Sequence, residues 1–117
     1  MSGDDLPRVP ADLDAETAML GSMLLSLDAI AIGADMLLPS DFYQPAHGAV
    51  FAAVVDRYRA GLSADPVGVA ATLDESGTTS RPERGWKSYL MRLQAEKPAS
   101  AHAAHYASTI IDRAERR

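Results

Sequence analysis

The chain has 117 residues and a mass of 12.5 kDa, the size of one domain with one modest hydrophobic core. Apolar residues make up 47% of the chain, which excludes a disordered protein, and the absence of cysteine excludes disulfides and thiolate zinc sites. The formal charge of -5 argues against strong non-specific binding of nucleic acid. The longest apolar run covers only residues 49–55, whereas a membrane-spanning helix needs about 20 residues, so we expect a cytoplasmic protein with no membrane contact.

A flexible arm and two helices are predicted at the beginning of the chain. Residues 1–11 contain glycine and prolines, which indicates a flexible N-terminal arm. Asp12 then supplies an N-cap, and apolar residues at helical spacing predict a helix over residues 13–27. A second helix is predicted over residues 28–38, where Pro39 ends it.

A turn-rich segment with two aromatic residues follows the second helix. Its residues Asp41, Phe42, Tyr43 and His47 are interpreted as a structural joint rather than a binding site, and we call them the joint. We favour a buried or capping role for His47, because no nucleophile or substrate pocket is evident near it. A proline suited to a first helical turn then predicts a third helix over residues 45–60.

Three more helices are predicted in the second half of the chain. One begins after Asp65, which precedes a proline, the next spans residues 83–96, and the last is capped by Ser100. No segment alternates with a period of two residues, so the predicted fold class is all-α, a compact helical globule of about six helices ending in an αα-hairpin. We divide this single domain into a helical globular subdomain, residues 12–82, and a C-terminal helical hairpin, residues 83–117.

The last two helices carry apolar stripes that two helices cannot cover alone. The hairpin either packs onto the first four helices or projects and meets another chain, and the pattern does not choose between these alternatives. If it projects, the interface candidates are Tyr89, Leu93, Tyr106, Ile110 and Ile111. Replacing Ile110 by aspartate would then dissociate a dimer.

The motifs predict no catalytic, cofactor-binding or metal-binding residue. The sequence contains neither a phosphate-binding P-loop nor a Gly-x-Gly-x-x-Gly motif. His102 and His105 would share one helical face, but a metal site needs further ligands, so we expect surface histidines. An enzymatic activity of this chain alone is therefore disfavoured.

Four separated segments occur in an order that is typical of one known family. They cover residues 13–25, 38–47, 59–67 and 98–107. In the second segment a proline precedes Asp-Phe-Tyr, and a proline and a histidine follow. Together the segments resemble the N-terminal domain of DnaB-type replicative DNA helicases, with the Asp-Phe-Tyr segment as the most specific signature.

This resemblance implies a non-catalytic collar domain of a replicative helicase. In that family, copies pair through their hairpins and form a trimer of dimers on the hexameric ring, where the collar binds primase and takes part in loader contacts. The resemblance thus implies a homodimer, with primase and the helicase loader as partners, weak or no direct DNA binding, and a bacterial or phage origin. No cofactor is expected in this domain, because ATP and magnesium would bind to the family's motor domain, which is absent from these 117 residues.

The sequence also departs from the family pattern. Thr17 replaces a usual glutamine, and Gly48 and Gly68 lie within helices where larger residues are usual. Arg84 stands where the family has the first of two glycines before the hairpin. The altered hairpin leaves a second hypothesis open: a stand-alone protein of the same fold, from a phage or a mobile element, that binds and modulates helicase or primase.

Overall fold

The computed structural model describes residues 9–78 and 80–117, which form six α-helices, two short 3-10 turns and no strand. The α-helices are α1 (Leu13–Leu25), α2 (Leu27–Met36), α3 (Pro45–Arg59), α4 (Pro66–Ser76), α5 (Trp86–Ala95) and α6 (Ala103–Arg116), and the 3-10 turns are Pro39–Asp41 and Ser100–His102. The predicted all-α class is confirmed. Most of the predicted arm over residues 1–11 lies outside the described residues. Among the described helices, none combines the length and the apolar character needed to cross a membrane.

Helix α1 is the central element of the core. It packs against α2, α3, α5 and α6, and its buried residues include Met19, Leu20 and Met23, which are at most 1% exposed. A helix that is apolar on most of its sides needs such neighbours all around it. The other helices are therefore arranged around α1, and α4 completes the globule against α3 and α5.

A single serine separates the first two helices. The backbone of Ser26 is extended, its N–H donates to the carbonyl of Ser22 at 2.9 Å, and its hydroxyl accepts from the N–H of Ala29 at 3.3 Å. Ser26 thereby ends α1 and caps α2. The predicted first helix over residues 13–27 was two residues too long, because this serine and not the following aspartate is the cap.

Two other predicted caps lie at the expected residues, whereas Ser100, the predicted cap of the last helix, begins a 3-10 turn, and α6 follows His102 without a side-chain cap. Asp12 accepts from the N–H of Ala15 at 2.9 Å, and Asp65 accepts from the N–H of Gly68 at 3.2 Å. Each carboxylate satisfies a backbone donor that has no partner within its helix. Both caps lie where the sequence predicted them.

Two helical glycines permit close packing. A β-carbon at Gly21 would lie 2.7 Å from the carbonyl oxygen of Leu93, and one at Gly48 would lie 2.8 Å from the carbonyl oxygen of Pro39. Glycine lowers the intrinsic stability of a helix, but it lets backbones approach one another. The unusual Gly48 is thus explained by its contact with the turn before the joint.

The last two helices differ from the predicted hairpin. Helix α5 packs on α1 and α4, and α6 packs on α1 and α2, so each has its main contacts with the globule rather than with the other. Of the two alternatives that the sequence left open, the structure shows packing onto the first four helices. Residues 83–117 therefore pack together with residues 12–82 in one globule.

Candidate functional site

A buried carboxylate joins α1 to the joint. Glu16 is only 1% exposed, and its oxygens accept from the N–H groups of Tyr43 at 2.7 Å and Gln44 at 3.4 Å. The same carboxylate lies 2.7 Å from Nδ1 of His47. Burying a charge destabilises a fold unless hydrogen bonds compensate it, and here three donors converge on one side chain.

His47 extends this network to α5. Its Nε2 lies 2.8 Å from the hydroxyl of Tyr89, while its Nδ1 faces Glu16. Burial raises the pKa of the Tyr89 phenol above its ordinary value of 10.0, opposed by the positive charge of Arg92. The Tyr89 hydroxyl is protonated near neutral pH, and the two contacts of the His47 ring hold it between Glu16 and Tyr89.

The chemistry of this chain of groups is structural. A carboxylate, an imidazole and a hydroxyl in this order also occur in nucleophilic catalytic triads. The order of groups alone does not make a nucleophile, which needs a base that takes its proton and a substrate beside it. The network of Glu16, His47 and Tyr89 instead fastens α1, the joint and α5 to one another.

The remaining joint residues also make structural contacts. Asp41 accepts from the backbone N–H of Leu38 at 2.8 Å, which closes the 3-10 turn. Phe42 is 6% exposed, and the centre of its ring lies 5.2 Å from that of Phe51. Of the four joint residues, Tyr43 and His47 contact Glu16, an acid that the sequence did not include in the joint.

Arg117 ties the end of α6 to the joint. Its guanidinium donates to the carbonyl oxygens of Pro10 at 2.9 Å and Asp41 at 2.7 Å. It also lies 5.5 Å from the centre of the Tyr43 ring, a cation–π distance. No sequence signal pointed to this contact, because its partners are far away along the chain.

The predicted interface residues lie in three different environments. Leu93 and Ile110 are 2% and 1% exposed, so they stabilise the core and cannot contact a second folded copy, which corrects the prediction for these two. Tyr106 and Ile111 are partly buried against the core and retain some exposed surface. Tyr89 is also partly buried, with its hydroxyl bonded to His47.

The large apolar side chains at the surface lie mostly outside the predicted stripe. Leu27 is 70% exposed and Leu38 is 65% exposed, and Leu27 is the last residue of the predicted first helix. Others that are at least 37% exposed are Val9, Leu13, Leu25, Tyr43, Tyr58, Leu62, Val67 and Met91. The break at Ser26 explains the difference, since Leu27 begins a new helix instead of continuing α1.

Ionisable groups outside the network are dispersed. Within residues 9–78 and 80–117, no three His, Asp or Glu side chains are arranged to hold a metal ion. His102 and His105 are exposed on and just before α6. In the same part of the chain, every buried side-chain nitrogen or oxygen has a hydrogen-bond partner.

Comparison with known proteins assigns the family. The family described as the DnaB-like helicase N terminal domain matches residues 8–112. Replicative DNA helicase DnaB of Mycobacterium leprae is 45% identical over 90% of this chain and 17% of that protein, and its counterpart from Leifsonia xyli is 37% identical over 90% and 22%. The chain thus spans about one fifth of the length of these relatives.

A solved structure agrees with the sequence comparison. The crystal structure of the N-terminal domain of DnaB helicase from Mycobacterium tuberculosis superposes with a TM-score of 0.83 at 44% identity. The match covers 92% of this chain and 76% of that one. The chain belongs to the family of DnaB-like helicase N-terminal domains.

Proposed function

We propose that this chain is the non-catalytic collar domain of a bacterial replicative DNA helicase. In this role it pairs with other copies in the hexamer and binds primase or a helicase loader. The motor chemistry, with its ATP and magnesium, takes place elsewhere in the helicase, and this domain binds DNA weakly or not at all. The proposal also assigns the protein to the cytoplasm, where replication occurs in bacteria.

Membership of the DnaB N-terminal family supports this role most directly. The engagement of the buried polar groups supports the non-catalytic part, because Glu16, His47 and Tyr89 bind one another and the backbone. Groups that are held in this way fix the relative positions of helices. Because these buried groups bind one another, contacts with other proteins fall to the outer surface of the domain.

The observation that carries the proposal is the exposure of large apolar side chains at one corner of a well-packed globule. Leu25 and Leu27 are 46% and 70% exposed and line the same groove. Single exposed leucines are ordinary, but adjacent ones around a concave surface are typical of protein interaction sites. For pairing between copies, the exposed parts of Tyr106 and Ile111 remain candidates.

Calorimetric titration of the chain with primase and with a loader from the same organism tests this proposal. We expect saturable binding of at least one of them, whereas single- and double-stranded DNA at low salt should give little or no signal. Sedimentation velocity over a range of concentrations tests the pairing. A chain that binds neither protein and remains monomeric throughout would contradict the proposed function.

A further inference from the structure

A groove lies where α1 turns into α2, beside the start of α4 and the last turn of α5. We call it the corner groove; its volume is about 210 Å³. Leu25 and Leu27 form its apolar rim, Met23 and Ile30 line its interior, and Asp65 and Gln94 contribute polar edges. Four elements of the fold therefore meet around one apolar depression.

The polar backbone groups at this corner already have partners. Ser26 donates its N–H to Ser22 and caps α2 with its hydroxyl. The side-chain amide of Gln94 donates to the carbonyl oxygen of Leu24 at 3.3 Å. A ligand therefore does not need to form hydrogen bonds with these polar groups. Binding is favoured instead because it removes the apolar surface of Leu25 and Leu27 from water.

The size of the groove favours a protein segment over a small molecule. Pockets for drug-sized ligands have volumes of roughly 300–1,000 Å³, larger than this groove. A groove of about 210 Å³ suits one or two anchoring apolar side chains of a protein partner. An amphipathic helix presents such anchors three, four or seven residues apart.

The charge around the groove indicates the chemistry of the partner. Asp28 is exposed next to Leu27, and Asp65 lies at the groove itself. The hydrogen bond from Ser63 holds the pKa of Asp65 below its ordinary value of 3.8, so this carboxylate is ionised at neutral pH.

Arg57 reaches the loop before α4, where its positive charge acts on Asp65 and its N–H groups are taken up by hydrogen bonds. It donates to the carbonyl oxygen of Ser63 at 2.6 Å and to the hydroxyl of Thr72 at 3.3 Å, and it lies over Gly68 on α4. A second copy that docked through this same face would bring the Asp28 and Asp65 side chains of both copies together. A basic partner brings opposite charges.

We propose that the corner groove binds a short basic amphipathic helix of a partner protein. The helix inserts aliphatic side chains between Leu25 and Leu27 and places Lys or Arg residues opposite Asp28 and Asp65. This inference rests on the partner-binding part of the proposed function and adds to it the surface and the chemical class of the ligand.

Two synthetic helical peptides test the proposal without using primase or a loader. Both carry leucines at positions i, i+3 and i+7, and their polar positions are lysine in one peptide and glutamate in the other. We expect the lysine peptide to shift the amide resonances of residues 25–30 and Gln94 in a ¹⁵N-labelled chain. The glutamate peptide should bind at least about tenfold more weakly, because its charges repel Asp28 and Asp65.

Matched variants locate the binding site. Leu27→Ser should weaken the lysine peptide about tenfold or more, while Leu38→Ser, at a similarly exposed leucine outside the groove, should leave its affinity unchanged. Both positions are at the surface, so circular dichroism should show both variants folded.

Three results would overturn the proposal: equal effects of Leu27→Ser and Leu38→Ser, equal affinity for both peptides, or resonance shifts confined to other surfaces. Failure of the proposed function is a separate outcome, since it is judged by titration with primase and loader proteins rather than with these peptides.

Discussion

At the scale of single residues, Glu16 connects distant parts of the chain through one carboxylate. Its partners Tyr43, Gln44 and His47 lie 27 to 31 residues further along the sequence. Because Glu16 is buried, it cannot exchange these partners for water. The position of the joint therefore depends on a side chain in the first turn of α1.

Glu16→Gln tests this dependence. A glutamine offers one acceptor oxygen, and its amide group would face donors, so at least one buried N–H loses its partner. We expect the free energy of unfolding, measured by urea denaturation, to fall by about 2–4 kcal/mol. Glu75→Gln, at an exposed end of α4, should change it by less than about 0.5 kcal/mol, and equal losses in the two variants would contradict this account of Glu16.

The burial of Tyr89 predicts that the stability of the fold depends on pH in the alkaline range. Its pKa is raised in the folded state, so the contribution of its protonated form to stability is present below pH 10 and decreases as the pH rises above 10. Absorbance of the phenolate should show a titration step at a pH above the ordinary tyrosine value of 10.0. In Tyr89→Phe this late step should be missing. Its persistence in that variant would show that another tyrosine is responsible.

Residue patterns predicted the joint but missed its central acid. Asp41, Phe42, Tyr43 and His47 lie close together in the sequence, so their grouping could be predicted. A glutamate in a first helical turn is ordinarily an exposed residue that interacts with the helix dipole, so the sequence gives no reason to expect a buried Glu16. Only the packing of α3 and α5 against α1 reveals its burial.

At the scale of elements, helix ends follow local signals more closely than helix contacts do. The caps Asp12 and Asp65 act on backbone groups three residues away, which is why they could be predicted. Ser26 and Asp28 are both suitable caps, and sequence preference alone does not rank them. The choice of Ser26 moved Leu27 to the surface and opened the corner groove.

Alanine substitutions at two helical glycines distinguish the effect of close packing on stability from the effect of helix propensity. A β-carbon at Gly21 meets the backbone of Leu93 at 2.7 Å, while one at Gly33 meets the flexible ends of Met19 and Met23 at 3.0 and 3.2 Å. Alanine gains about 1 kcal/mol of helix propensity at both positions. We expect Gly21→Ala to destabilise the protein by about 1–2 kcal/mol and Gly33→Ala to be neutral or stabilising.

Thermal unfolding of the two glycine variants under the same conditions makes this comparison. A stabilised Gly21→Ala variant would show that α1 and α5 can move apart without loss, which contradicts their close contact.

At the scale of the whole molecule, α6 belongs to the core. Ala103, Ala107 and Ile110 are at most 1% exposed and face α1 and α2. An apolar stripe indicates that one face of a helix is buried, but it does not identify what buries it. The sequence alone therefore could not distinguish packing onto the first four helices from contact with another chain. In the structure the chain itself covers Ala103, Ala107 and Ile110, and on α6 the exposed parts of Tyr106 and Ile111 remain candidates for pairing.

The variant Ile110→Asp distinguishes a core residue from an interface residue. A charge at this buried position has no partner, so we expect circular dichroism to show an unfolded or strongly destabilised chain instead of a folded monomer. Ile111→Asp, one residue further on at a partly exposed position, should remain folded. A folded, monomeric Ile110→Asp variant would restore the earlier interpretation of that stripe.

In the proposed role, this domain works as part of a replicative helicase. An immunoblot of the source cells with an antibody raised against this chain measures the mass of the native protein directly. We predict a band several times heavier than 12.5 kDa, since the chain covers 17% and 22% of the helicases that it resembles. A single band at 12.5 kDa would contradict the claim and would support a stand-alone protein that binds helicase or primase from outside.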